Sequence, residues 1–243
     1  MPKFFVKPEQ VSENEILIIE EDAKHIATVL RGKNGDVITV CDGAGMDYKC
    51  KLSFVKSDMV KAEIVQKIEN DVEPKTKITL FQGLPKVDKF ETVIQKCVEL
   101  GVSEVVPVAM ERSVVKLTSK EKEKKKIERW EKISESAAKQ SGRGKIPKIN
   151  EILSFVQALK KAKEYDAVLI PYENEQKTGL KQFVQNFKGN SIAVFIGPEG
   201  GFSDEEYEKA VEMGAVSVTL GKRILRTETA GMTVLAILFY ELG

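Results

Sequence analysis

The sequence predicts two domains of different class, a small β-barrel followed by a larger α/β layered domain. Three observations carry this. Residues up to about 70 of the 243 read mostly as short strands with glycine turns. A polar, proline-containing stretch at 70–77 (NDVEPKTK) then breaks the pattern. Beyond it, apolar strands alternate with segments of helical periodicity, as in a parallel sheet covered by helices. The boundary therefore falls between residues 1–72 and 73–243.

In the first part, residues 15–20, 36–40, 48–55 and 60–68 carry β-branched or alternating apolar side chains. Gly32, Gly35, Gly43 and Gly45 mark the turns between them. One helix, 22–30, interrupts the strands, with Ile26, Val29 and Leu30 expected in the core. Short strands at this spacing suggest a compact barrel. In the second part, 78–82 is an apolar strand, and Phe90, Val93, Ile94, Cys97 and Val98 recur at helical spacing up to Gly101, a natural helix stop. Residues 105–108 form the next strand, and a long helix over 119–141 carries the stripe Ile127, Trp130, Ile133, Ala137 and Ala138. Residues 167–170, 192–196 and 216–220 read as further strands, and an apolar helix over 228–242 ends the chain.

Composition narrows the function. Hydrophobic residues make up 42% of the chain, enough for a buried core, and 17 Gly with 8 Pro exclude a collagen-like repeat. Cys41, Cys50 and Cys97 are odd in number without C-x-x-C spacing, and His25 is the only histidine. No metal site is expected from such a set, and a Ser-His-Asp or Cys-His hydrolase would have to rest on His25 alone. The longest apolar run, 234–240, is far short of the ~20 residues that span a bilayer. With no export signal at the start, a cytoplasmic protein with reduced, buried thiols and no membrane partner is expected.

The net charge of +1 is an average over unlike regions. Residues 112–148 hold 13 Lys or Arg against 5 Glu, while the remainder holds 25 basic against 32 acidic side chains. Taken alone, Lys120 to Lys132 read as the solvated face of a helix. The segment 140–147 (QSGRGKIP) places Arg143 and Lys145 on a glycine-rich loop, where cations reach phosphates.

Two loops carry the chemistry. Residues 196–206 (IGPEGGFSDEE) begin where an apolar strand ends, and Ser203 with Glu206 forms a capping box that starts a helix. Strand, glycine loop and helix bring backbone amides to the carboxyl edge of a sheet. Glu199 within the loop would repel a phosphate, so a neutral or cationic ligand fits better, with an ordinary tight turn as the alternative. Residues 220–230 (LGKRILRTETA) repeat the arrangement at another strand. Here Ile224 and Leu225 lie between Arg223 and Arg226 and would suit a planar adenine.

Both loops resemble those of the RsmE-type 16S ribosomal RNA (uracil-N3) methyltransferases. Further matches in the same order are 84–91 (LPKVDKFE), 99–104 (ELGVSE), 111–113 (ERS) and 138–143 (AKQSGR), with His25 and residues 29–31 (VLR) near the start. The resemblance spans essentially the whole chain. It implies a SPOUT-type α/β domain with a C-terminal trefoil knot, preceded by a PUA-like β-barrel that binds RNA. It also implies a homodimer, S-adenosylmethionine as cofactor, and 16S ribosomal RNA or the small ribosomal subunit as partner.

Carried onto this chain, the resemblance places the cofactor against Gly197, Pro198, Glu199, Gly200 and Gly201, against Leu220, Gly221, Ile224, Leu225 and Thr227, and against Leu169 and Pro171 of a third wall ending at residue 172. Arg226 would stabilise a uracil anion and Glu228 would take the N3 proton; bracing of the loops is an equal alternative for this pair. Arg31, Lys86, Lys89, Arg112 and Arg143 are the candidates for RNA backbone contacts. A transfer-RNA substrate and a non-catalytic RNA-binding protein are the competing readings.

Overall fold

The computed structural model describes residues 3–114 and 119–242. The chain forms two units, Met1–Glu73 with Ala138–Ile146, and Pro74–Ala137 with Pro147–Gly243. Residues 138–146, which the sequence grouped with the α/β part, thus pack with the first unit.

The first unit contains strands β1 (Lys3–Phe5), β2 (Glu15–Ile19), β3 (Val37–Cys41), β4 (Met46–Val55) and β5 (Met59–Glu69), in the order β1-β3-β4-β5-β2. All neighbours are antiparallel except β1 and β3. Ile16 and Ile18, Ile38 and Val40, Cys50 and Leu52, and Val60 and Ala62 alternate into one core, the period-2 signal of a half-buried sheet. Register shifts at Lys49/Cys50 and Leu52/Phe54 bend the β4–β5 pair. The sheet is curled, with β1 and β2 at its two ends.

The expected helix begins earlier and ends differently. Helix α1 (Glu20–Lys24) runs into a π-helical turn over His25–Val29. Ile26 is fully buried as expected, but Val29 is 65% and Leu30 41% exposed. The wider turn rotates these two side chains off the stripe that α-helical spacing would give them. Accordingly, Ile26→Ala should cost about 2–4 kcal/mol, as for buried aliphatic truncations, and Val29→Ala less than about 0.5 kcal/mol. Urea titration of the two variants checks the contrast.

The segment 138–146, the end of a helix and the loop after it, is bound to this unit by a buried ion pair. Arg143 is 5% exposed. Its Nη2 lies 2.6 Å from Glu73 Oε2 and its Nε donates to Oε1 at 3.2 Å. The amides of Gly144 and Lys145 donate to the same Oε1, at 3.0 and 3.1 Å. Burial raises the Glu73 carboxyl, but Arg143 and the two amides outweigh it and hold the group below its usual range. This corrects the expectation that Arg143 meets RNA phosphates: a side chain this enclosed and already committed to a carboxylate is a brace. Lys139 likewise meets Asp22 at 3.0 Å. The Cys41 thiol donates to the Gly144 carbonyl, and burial pushes it up to about 12.

The second unit is a parallel sheet. Its strands are β6 (Lys77–Gly83), β7 (Glu104–Ala109), β8 (Lys148–Ile149), β9 (Leu153–Ser154), β10 (Ala167–Pro171), β11 (Ser191–Ile196) and β12 (Val216–Val218). The order is β12-β10-β11-β6-β7-β8, with β9 also paired to β7. Helices α2 (Val87–Leu100), α3 (Lys120–Gln140), α4 (Phe155–Ala162), α5 (Leu180–Asn186), α6 (Asp204–Glu212) and α7 (Thr227–Leu242) connect them. The five apolar residues expected on α2 are all buried, and Gly101 ends the helix with φ 112°, a conformation suited to glycine. Phe81 of β6 and Phe195 of β11 stack at 4.6 Å in the core, with Phe155 and Phe202 beside them. Strand β12 stops two residues before the expected end, which leaves Thr219 and Leu220 in the loop that follows.

Candidate active site

The carboxyl ends of β10, β11 and β12 open onto one cavity of about 400 Å³, a volume within the range of small-molecule sites. Three loops wall it, because three neighbouring parallel strands end there. The loop after β11 turns back at Gly201, φ 69°, and reaches α6 through Ser203. That serine caps the helix by accepting from the Glu206 amide, while Glu206 returns a carboxylate oxygen to the Ser203 amide at 3.1 Å. The loop after β12 turns at Gly221, φ 106°, and ends at Thr227, the first residue of α7. The third wall is Pro171 and Tyr172, whose ring stacks on Tyr207 with centroids 3.8 Å apart.

The structure brings most of the expected site residues together. Pro171, Gly197, Pro198, Glu199, Gly201, Leu220, Gly221, Ile224, Leu225 and Thr227 line the cavity, and so does Arg226. Leu169 does not, being fully buried inside β10. Gly200 faces away from the cavity, where a Cβ would stand 2.9 Å from Cβ of Arg112. Its carbonyl accepts from Arg112 Nη1 at 3.1 Å, so Arg112 braces the first loop from outside. Glu228 lies behind the wall, with Oε2 buried, without a hydrogen bond from the described residues, and 3.6 Å from Lys89 Nζ.

Lys89 sits elsewhere than the sequence suggested. Expected at the RNA backbone, it lines the cavity and its ammonium lies between two carboxylates, 3.4 Å from Glu199 and 3.6 Å from Glu228. One cation from α2 thus joins the first loop to the start of α7. Burial raises the Glu199 carboxyl, but backbone amides, including that of Lys86 at 3.2 Å, and Lys89 hold it below its usual range. Nothing in the 84–91 segment marks Lys89 for this role, because its two partners are over a hundred residues away. Arg31 is exposed on the first unit, in the left-handed region with φ 51°.

The walls suit a flat apolar group beside a polar one. Ile224 is 84% exposed although it stands on the wall of a cavity, and an aliphatic side chain so placed favours an apolar partner. The Arg226 side chain makes no hydrogen bond or ion pair among the described residues, so its guanidinium is available to a ligand.

Residues 72–239 match the model of the RNA methyltransferase domain, and residues 18–65 that of the RNA methyltransferase PUA domain. The chain is 37% identical over 249 residues to ribosomal RNA small subunit methyltransferase E of Bacillus subtilis, covering 99% of this chain and 97% of that one. The chain belongs to this methyltransferase family. The Mesomycoplasma hyopneumoniae member is 38% identical over 237 residues, with 97% of each chain covered. A solved family member from Neisseria gonorrhoeae, bound to S-adenosyl methionine, superposes with a TM-score of 0.87 at 33% identity, over 98% of this chain and 96% of that one. The α/β fold with a parallel sheet and the PUA domain before it are those of the family. Within the described residues no helix is long and apolar enough to cross a membrane.

Proposed function

We propose that this protein uses S-adenosylmethionine to methylate N3 of a uridine in the 16S ribosomal RNA of the small subunit. The observation that carries the reading is the cavity itself, in which two glycine loops and the uncovered Ile224 face one another with an uncommitted arginine at the rim. An adenosyl group fits these walls: Ile224 and Leu225 offer it apolar surface, and Gly197, Gly201 and Gly221 let backbone approach closely. Glu199, ionised and inside the same cavity, suits a ligand that carries positive charge. When bound, S-adenosylmethionine supplies a methyl group on a sulfonium, a displacement that needs alignment more than covalent help.

The chain's own residues then have the proton and the anion to manage. N3 carries a proton on the pairing edge of the base, so the uridine must be unpaired or extruded. Arg226 would donate to a uracil oxygen as charge develops on it. Glu228 would accept the proton, with Lys89 holding its carboxylate in place; Glu228 has to swing forward from behind the wall to do so. Arg31, Lys86 and Arg112 remain the candidates for phosphate contacts that orient the RNA without reading its sequence. The homodimer and the knotted threading implied by the resemblance belong to this proposal as well. Helix α7, mostly apolar over 230–240 and with Ile237 36% and Tyr240 87% exposed, would offer a second subunit a face.

The test is mass spectrometry of 16S RNA from small subunits that lack the modification, after treatment with the protein and S-adenosylmethionine. One new methyluridine, with the methyl on N3, is the expected product. Unmodified RNA would overturn the assignment.

A further inference from the structure

Gln82 is a buried amide beside Leu80 and Phe81 in strand β6. It is fully buried near the end of β6, in register with Ile196 of β11 on one side and Pro107 of β7 on the other. Its Nε2 donates to Thr227 Oγ1 at 2.9 Å and to the carbonyls of Gly83 and Gly197 at 3.1 and 3.5 Å. The Thr227 hydroxyl donates in turn to the Gly197 carbonyl at 2.5 Å. Both carbonyls only accept, so the amide nitrogen must face them.

The other end of the side chain is left over. Gln82 Oε1 is buried and accepts no hydrogen bond from the described residues, lying near Gly231 of α7. A residue present only for packing would not strand an acceptor there, since an apolar side chain of the same length fills the space without that cost. The donor end explains its presence. Gly83 points the same way: a Cβ on it would stand 2.7 Å from Pro198, so the first loop lies directly on the end of β6.

We infer that Gln82 is a positioning residue for binding of the methyl donor. Its amide turns the Gly197 carbonyl toward β6 and, through Thr227, fixes the start of α7 to the same carbonyl, making one cradle of two loops 30 residues apart. The inference rests on the reading of the cavity as the S-adenosylmethionine site, and it adds a residue that lines no part of that cavity.

Gln82→Met keeps length and bulk while removing both the donor and the stranded acceptor. The expected result is a tenfold or larger rise in the Kd and KM for S-adenosylmethionine, with the KM for RNA unchanged and a melting temperature equal to or above that of the unsubstituted protein. Thr227→Val should do the same and Thr227→Ser should restore binding. Because the groups form one network, the double variant Q82M/T227V should bind no more weakly than the worse single one. A folded Q82M variant with unchanged donor affinity, or additive losses in the double variant, would overturn the inference. If Q82M does not fold, the Thr227 pair decides: equal binding by both variants overturns it. Unsubstituted protein that binds no S-adenosylmethionine would instead defeat the reading of the cavity, a separate and visible failure.

Discussion

Replacing Arg226 with alanine should lower kcat by about 10²–10³-fold, the usual effect of removing one donor aimed at a developing oxyanion. Two features of the site make the effect specific. The guanidinium lines the cavity yet has no hydrogen-bond or ion-pair partner among the described residues, so its loss orphans nothing inside the protein. Stability should therefore stay within about 0.5 kcal/mol, as for other exposed substitutions without a structural partner. S-adenosylmethionine affinity should also be nearly retained, because the apolar wall and the glycine backbone remain. Single-turnover transfer of a labelled methyl group, beside calorimetry of donor binding, separates these effects. Turnover like that of the unsubstituted protein would remove Arg226 from the chemistry.

Arg143→Ala should act in the opposite way, on stability and not on the reaction. It leaves the Glu73 carboxylate enclosed without its cation, a change that costs about 3 kcal/mol in comparable buried pairs. Guanidinium titration measures the loss, and donor affinity of the folded fraction should be unchanged. Acid should produce a related effect in the unsubstituted protein. The folded state holds Glu73 below its unfolded value, so the unfolded chain binds the proton more readily. The stabilisation is complete above the unfolded carboxylate range and disappears as pH falls through the lowered folded value. Glu73→Gln should flatten that part of the stability profile.

The contrast between these two arginines shows how far a sequence can be read. Arg226 lies beside Ile224, Leu225 and Thr227 in one short loop, so local chemistry marked it. Arg143 lies in an equally conspicuous loop, but its partner is 70 positions earlier, and no pattern near residue 143 announces a carboxylate at residue 73. The same reasoning separates the secondary elements. The stripe of α2 and the largely apolar β6 and β11 were legible because burial constrains many residues at once. Helix α4 was not, although Ser154 and Gln157 form a capping box at its start; it is only eight residues long. The π-helical turn at 25–29 was invisible because one added residue per turn leaves composition unchanged while rotating Val29 and Leu30 outward. At the site, the walls belong to loops and were readable. Lys89 reaches them from a distant element, and only the fold brings it there.

The first unit is completed by residues from the middle of the chain, since residues 138–146 supply Arg143 to a sheet that ends at residue 69. During synthesis, Glu73 leaves the ribosome long before the cation that neutralises it. The amino-terminal sheet therefore cannot reach its final stability as an isolated leading segment. It waits until β6, α2, β7 and α3 have emerged as well, so the two units mature together. A fragment cut after residue 73 would inherit the carboxylate without its arginine, and the piece that carries the RNA-contact candidate Arg31 would be a poor stand-in for the same surface in the whole protein.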